Sequence, residues 1–132
     1  MRLVLAVMAL SVLGYCKDES VTGHGGADPV WHLQSIDGAA FAAEATLTFP
    51  AEGKLAGAAP CNGYSGRQTA PYPWFSAENV AATKRACPEL AAEALYFAAL
   101  GEMTLVEVLG DVLILSNDAG REMVFQGGDG AE

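Results

Sequence analysis

Positive charge is scarce in this chain. Seven Lys and Arg stand against 16 Asp and Glu, giving a formal net charge of −9. Binding to a nucleic-acid backbone needs a basic patch or stripe, so the balance argues against nucleic acid as a partner. The one adjacent basic pair, Lys84-Arg85, is too small a footprint. An anionic membrane surface repels the same acidic body, while the net charge keeps the domain soluble. Cysteine is also sparse, with three residues and no Cys-x-x-Cys spacing. The two histidines, His24 and His32, are far in sequence from Cys61 and Cys87, so zinc lacks a ligand set. Thiol catalysis lacks its base, because strand alternation aims His32 outward. No apolar run reaches the ~20 residues that a transmembrane helix needs. No cofactor motif and no nucleophile–base constellation stand out.

The chain does carry an exportable N-terminus. Met1-Arg2 is a short basic start, and Leu3 to Leu13 is apolar apart from Ser11. Polarity then changes abruptly after Cys16. This pattern reads as a secretory signal over residues 1–15. Leu13-Gly14-Tyr15-Cys16 resembles a bacterial lipobox, in which the cysteine is lipidated and becomes the mature N-terminus. Tyr15 departs from that pattern, which has a small residue there; cleavage further along, near Ala27, is the alternative. Lipidation at Cys16 leaves Cys61 and Cys87 as an even pair in an oxidising compartment, which suits a structural disulfide. A metal site, a reactive thiol and two free buried cysteines are the competing readings.

The length of 132 residues suits one domain. Residues 16–28 contain three glycines and read as a flexible tether. The domain proper is expected over 29–126, with a frayed tail at 127–132. Val30 to Ile36 alternates as a first strand with Trp31 and Leu33 inward, and Asp37-Gly38 turns. Ala45 to Phe49 alternates as a half-buried strand, and Lys54 to Ala58 returns. Gly57 within it suggests a bulge or a close backbone approach. Tyr64 to Thr69 reads as another strand. A further strand lies between Trp74 and Thr83, ending at the second cysteine. Pro88 to Leu100 reads as the single helix, closed by Gly101. Leu90, Ala91, Ala94, Leu95 and Ala98 form its apolar side, with Glu89, Glu93 and Tyr96 on the solvated side. Three short strands follow: Thr104–Val108, Val112–Ser116 and Arg121–Gln126. Gly110-Asp111 makes the first turn between them.

Several of these residues, in order, resemble the META domain (HslJ-like) family. The resemblance rests on Trp31-x-Leu33 and Ala45 to Phe49, then on Gly57 with Cys61-Asn62-x-Tyr64-x-Gly66. Thr83-x-x-Ala86-Cys87, Gly110-Asp111-x-Leu113-x-Leu115, Gly120 and Phe125 continue it. Pro60 stands where the family usually has glycine. The resemblance implies a mainly β, α+β fold: a small antiparallel β-barrel-like structure with one α-helix over about 88–100. It also implies a bacterial envelope protein, and it brings no general enzymatic activity. Some relatives are associated with heat shock, antibiotic tolerance or virulence.

The reading at this point is a noncatalytic envelope lipoprotein with a binding or stress-tolerance role. It is expected in the periplasm, held by its lipid, with the outer membrane favoured. The membrane is met only through that anchor. The partner is an unidentified protein or small ligand. An envelope enzyme of hydrolase type, or a purely structural component, are the alternatives. Asn62, Tyr64, Tyr72 and Trp74 are the candidate binding surface. Asn62 also suits a turn held by side-chain hydrogen bonds, and the aromatics also suit the core. Glu89 and Glu93, one helical turn apart, are a candidate carboxylate pair, with a solvated helix face as the blander reading.

Overall fold

The computed structural model describes residues 19–128. The expected signal segment, the lipidation position Cys16 and residues 129–132 lie outside that range. Strand β1, Val30–Ile36, buries Trp31 and Leu33 and exposes His32, as its alternation requires. Asp37 and Gly38 both adopt positive φ, 52° and 82°, and fold the chain directly into β2, Ala39–Ala40. Two consecutive positive φ angles give the turn the twist that hairpin strands need. Strand β3, Thr46–Leu47, is short, but the alternation around it persists: Ala45, Leu47 and Phe49 are all buried.

Strands β4, Gly53–Ala58, and β5, Gly63–Gln68, form a regular antiparallel hairpin, and β6, Glu78–Ala82, pairs with β5. Helix α1, Leu90–Glu102, follows. Strands β7, Leu105–Leu109, β8, Val112–Ser116, and β9, Glu122–Gly128, close the chain as a meander. Strand β9 then pairs along β1. Two antiparallel sheets result. One runs β2-β1-β9-β8-β7 with β3 also on β1, and the other runs β4-β5-β6.

The sheets meet at β3. Thr48 and Ala56 exchange backbone hydrogen bonds, and Tyr64 Oη donates to the Thr46 carbonyl at 2.6 Å. Strand β4 crosses so close to β3 that a Cβ on Gly57 would collide with the Thr46 carbonyl oxygen. The close approach expected at Gly57 is therefore present. A second junction joins the segment before β6 to β7 through Phe75 N to Thr104 O and Val106 N to Pro73 O. Strand β6 itself does not pair with β7, so the wall stays open there. The architecture is antiparallel and mainly β with one helix, but it is not a closed barrel.

One continuous core fills the interior, from Trp31, Leu47 and Phe49 to Leu113, Leu115, Met123 and Phe125. Helix α1 contributes Tyr96, Ala99 and Leu100, and Met103 continues the same stripe. Arg121 pairs with Asp37 at 3.0 Å and with Glu102 at 3.1 Å, fastening the end of α1 to the β1–β2 turn.

Several expectations are corrected. The segment expected as tether is folded over its described part. Val21–His24 is a 3-10 turn, Val21 is buried, and Trp31 Nε1 donates to the Gly26 carbonyl at 3.1 Å. His24 stacks on Tyr72 at 4.2 Å between ring centroids. Gly127 and Gly128 belong to β9 and not to a tail, because they pair with Trp31 and Val30. Strand β6 stops at Ala82, before the second cysteine. Helix α1 starts at Leu90 and runs through Gly101, which has open space around it.

The largest correction concerns the sides of α1. The Leu90, Ala91, Ala94, Leu95, Ala98 stripe faces outward, while Glu93 and Tyr96 face the core. The buried positions 93, 96, 99, 100 and 103 follow helical spacing. Polar groups occupy two of them because hydrogen-bond partners await them inside.

Candidate functional site

Cys61 and Cys87 are joined as a disulfide with their Cα atoms 5.7 Å apart. Beneath it lies a polar knot. The turn at 59–62 aims two consecutive backbone N–H groups, those of Cys61 and Asn62, at Glu93 Oε1, at 2.8 and 2.9 Å. Asn62 Nδ2 donates to Glu93 Oε2 at 2.7 Å and to the Arg85 carbonyl at 3.1 Å. Asn62 Oδ1 accepts from the Thr83 hydroxyl at 2.9 Å and from Arg85 N at 2.6 Å. Arg85 Nη2 donates back to the Cys61 carbonyl at 3.2 Å. Both amide atoms of Asn62 are thus doubly used, which meets the requirement that buried polar groups be bonded. Burial pushes the Glu93 carboxyl up, but the bonds from the Asn62 side chain and the two N–H groups outweigh it. The carboxyl lies below the ordinary glutamate range and stays ionised.

The candidate residues are placed differently from one another. Asn62 is buried and its side-chain amide ties the 59–62 turn to the 83–85 loop and to α1. Tyr64 is buried too. Its hydroxyl donates to the Thr46 carbonyl and accepts from Tyr96 Oη at 2.5 Å, and burial raises both pKa values, keeping the phenols neutral. The carboxylate pair is also undone: Glu93 has both oxygens occupied, while Glu89 stands outside at the helix start. Tyr72 is half-buried, stacked on His24, and its hydroxyl accepts from Val108 N at 3.0 Å. Trp74 is 56% exposed while its neighbour Phe75 is buried. Of the four candidate residues, only Trp74 is largely exposed. Among the described residues, no three His, Cys, Asp or Glu side chains gather as a metal site.

The knot positions something else. Residues 83–89 connect β6 to α1, and the disulfide with the Asn62–Glu93 bonds fixes that connection. Between the two elements runs an apolar groove of about 260 Å³, lined by Ala77, Val80 and Ala82 on one side and Phe97, Leu100 and Gly101 on the other. Among the described residues, strand β6 has a hydrogen-bonded neighbour on one side only, and all five of its residues are exposed. Leu90 and Leu95, 44% and 65% exposed, extend the apolar character over the outside of α1.

Sequence reasoning placed neither Glu93 nor the groove. The available signal was the spacing of Tyr96, Ala99, Leu100 and Met103, which marks the buried side of α1 one turn beyond Glu93. The second buried polar side chain it missed, Gln68, accepts from Ser76 N at 2.8 Å and donates to the Ala70 carbonyl at 3.0 Å.

No curated protein matches the chain. Among solved structures, an NMR structure of a protein from Burkholderia xenovorans superposes with a TM-score of 0.64 at 24% identity, covering 82% of this chain and 87% of that one. A crystal structure of a DUF4847 family protein from Bacteroides vulgatus gives a TM-score of 0.65 at 14% identity, covering 83% of this chain and 99% of that one. At these identities the likeness is one of fold. The sequence profile of the META domain matches residues 27–129. That span includes β1 to β9, α1 and both disulfide cysteines, and the chain belongs to the META domain family.

Proposed function

We propose that this domain is a noncatalytic module of the bacterial envelope that binds an extended segment of a partner polypeptide at the seam between β6 and α1. The observation that carries this reading is the unpaired edge of β6 lying beside the apolar groove. An extended segment adds main-chain hydrogen bonds to such an edge, and its alternate side chains enter the groove. Those side chains are apolar, to match Val80 and Phe97. The segment is not acidic, because the chain's net charge of −9 would repel it. The exposed Leu95 stripe widens the apolar area available to such a partner. Stress tolerance is the physiological setting that the family resemblance suggests for the module.

Photo-crosslinking tests the site. A crosslinker at Val80 and one at Leu95 are expected to capture the same discrete polypeptide, and one at exposed Glu107 to capture none. Val80→Lys should abolish the capture without unfolding the domain. Equal capture from all three positions would remove the assignment. Envelope residence and the lipid on Cys16 are tested separately by the intact mass of the native protein. The expected mass is that of a chain beginning at an acylated Cys16, and an unprocessed chain beginning at Met1 overturns this part.

A further inference from the structure

A cleft larger than the groove at the seam lies elsewhere. It has a volume of about 650 Å³ and lies where the N-terminal segment meets the open end of the β4–β5 hairpin. Its lining includes Lys54, Arg67, Thr69, Glu19 and Glu52. Lys54 and Arg67 are direct partners in the β4–β5 register. Like charges directly opposite across a ladder destabilise it. The ion pairs among the described residues belong to Arg121, so neither cation has a carboxylate oxygen of a described residue within ion-pair distance. This holds although Glu78 is the register partner of Arg67 on β6. Described cations are few, so two of them side by side on a cleft wall in an acidic protein call for an anion. The cleft also has carboxylates at its rim, which a simple anion would meet unfavourably. The Glu19 edge is held in place by the bond from Tyr72 N to the Glu19 carbonyl, 2.5 Å long.

The arrangement points to a ligand carrying both signs, and we infer that the cleft binds a phosphate ester bearing a primary ammonium group, the chemistry of phosphoethanolamine. Lys54 and Arg67 take the phosphate, the guanidinium by paired N–H donation and the ammonium as a point charge. The Thr69 hydroxyl donates a further hydrogen bond, and Glu52 and Glu19 accept from the ligand ammonium. Such an ester exists free or as the headgroup of a phospholipid. Glu19 is three residues beyond Cys16, so a lipid on that cysteine would hold the cleft within roughly 10 Å of a headgroup layer. The headgroup source rests on the envelope-anchor reading above, whereas the chemistry of the cleft does not.

Amide chemical shifts of the purified protein, titrated with phosphoethanolamine, inorganic phosphate and ethanolamine in turn, test the inference. Phosphoethanolamine is expected to shift Gly53, Lys54, Arg67 and Thr69 saturably and to bind at least tenfold tighter than either half. Arg67→Gln and Lys54→Gln should each weaken it about tenfold. Glu52→Gln should weaken phosphoethanolamine but not phosphate. No saturable shift at these residues overturns the inference, as does phosphate binding equal to phosphoethanolamine. Flotation with vesicles then separates the sources. Retention on phosphatidylethanolamine but not phosphatidylcholine vesicles, lost in Arg67→Gln, supports the headgroup. Binding of soluble phosphoethanolamine without vesicle retention supports the free ester. Because the titration needs no acyl chain, a protein that lacks lipid yet binds phosphoethanolamine refutes the anchor reading alone.

Discussion

Glu93 keeps its charge in a buried place because three N–H donors converge on its two oxygens. Each hydrogen bond to a charged group is worth about 1.5–3 kcal/mol, and an unsatisfied buried partner costs a similar amount. In Glu93→Gln one side-chain oxygen remains, but the new amide nitrogen faces Asn62 Nδ2, donor against donor. The expected loss is about 2–3 kcal/mol, read from urea unfolding. The sign of the pH dependence follows from the lowered pKa of Glu93 in the folded state. Its stabilisation is fully present above the unfolded value of about 4.3 and is lost as pH falls through the lower folded value. Unfolding free energy measured from pH 6 downward should therefore fall more steeply in wild type than in Glu93→Gln below about pH 4.3. Parallel curves would show that Glu93 is not the group responsible.

At the scale of elements, α1 and the loop before it matter most. The helix carries an apolar stripe on its outer side and a mixed stripe on its inner side. Leu95→Lys should change stability by less than about 0.5 kcal/mol, as surface substitutions do. Leu100→Lys should unfold the domain, because it buries an unpaired charge. Thermal unfolding of the two variants gives the test, and the reverse order would restore the sequence-based orientation of α1. The disulfide joins residues separated by 26 positions. Removing it as the double Cys61→Ala, Cys87→Ala variant should cost about 3.5 kcal/mol in the chain-entropy account. Exchange of the Arg85 amide, bonded to Asn62 Oδ1, should accelerate more than that of Leu113 in the β7–β8–β9 meander. A uniform acceleration would mean that the staple acts on the unfolded chain alone and does not hold the 83–89 loop.

The described residues form two joined antiparallel sheets left unpaired between β6 and β7, with α1 beside β6. The N-terminal edge is part of the body. Val21 packs against the core, and Gly26 gives Trp31 its hydrogen-bond acceptor. A chain begun at Pro29 loses the burial of Val21, about 1.5–3 kcal/mol, and leaves the Trp31 N–H without its partner. Compared with a chain begun at Glu19, its unfolding free energy should fall by about 3 kcal/mol, and Trp31 fluorescence should shift red. Identical melting of the two would show that residues 19–28 are the tether that their glycines suggested.

Much of the wall was legible in the sequence. Val30–Ile36, the Asp37-Gly38 turn, Val112–Ser116 and the inward Met123 and Phe125 follow from period-two alternation and turn chemistry, which are local properties. The pairing of Cys61 with Cys87 followed from their number and expected compartment. The side of α1 that faces inward was not legible, because alanine and leucine suit either side and only long-range partners make burial of Glu93 and Tyr96 favourable. Those partners, the N–H groups of Cys61 and Asn62 and the Thr46 carbonyl, are 31 to 50 residues away in sequence. The open seam was hidden for the same reason, since strand pairing is a property of the assembled sheets. The sequence by itself determined most strands and their turns and favoured the staple; only the tertiary structure decided which helix side is buried and where the wall stays open, because both depend on hydrogen bonds between distant segments.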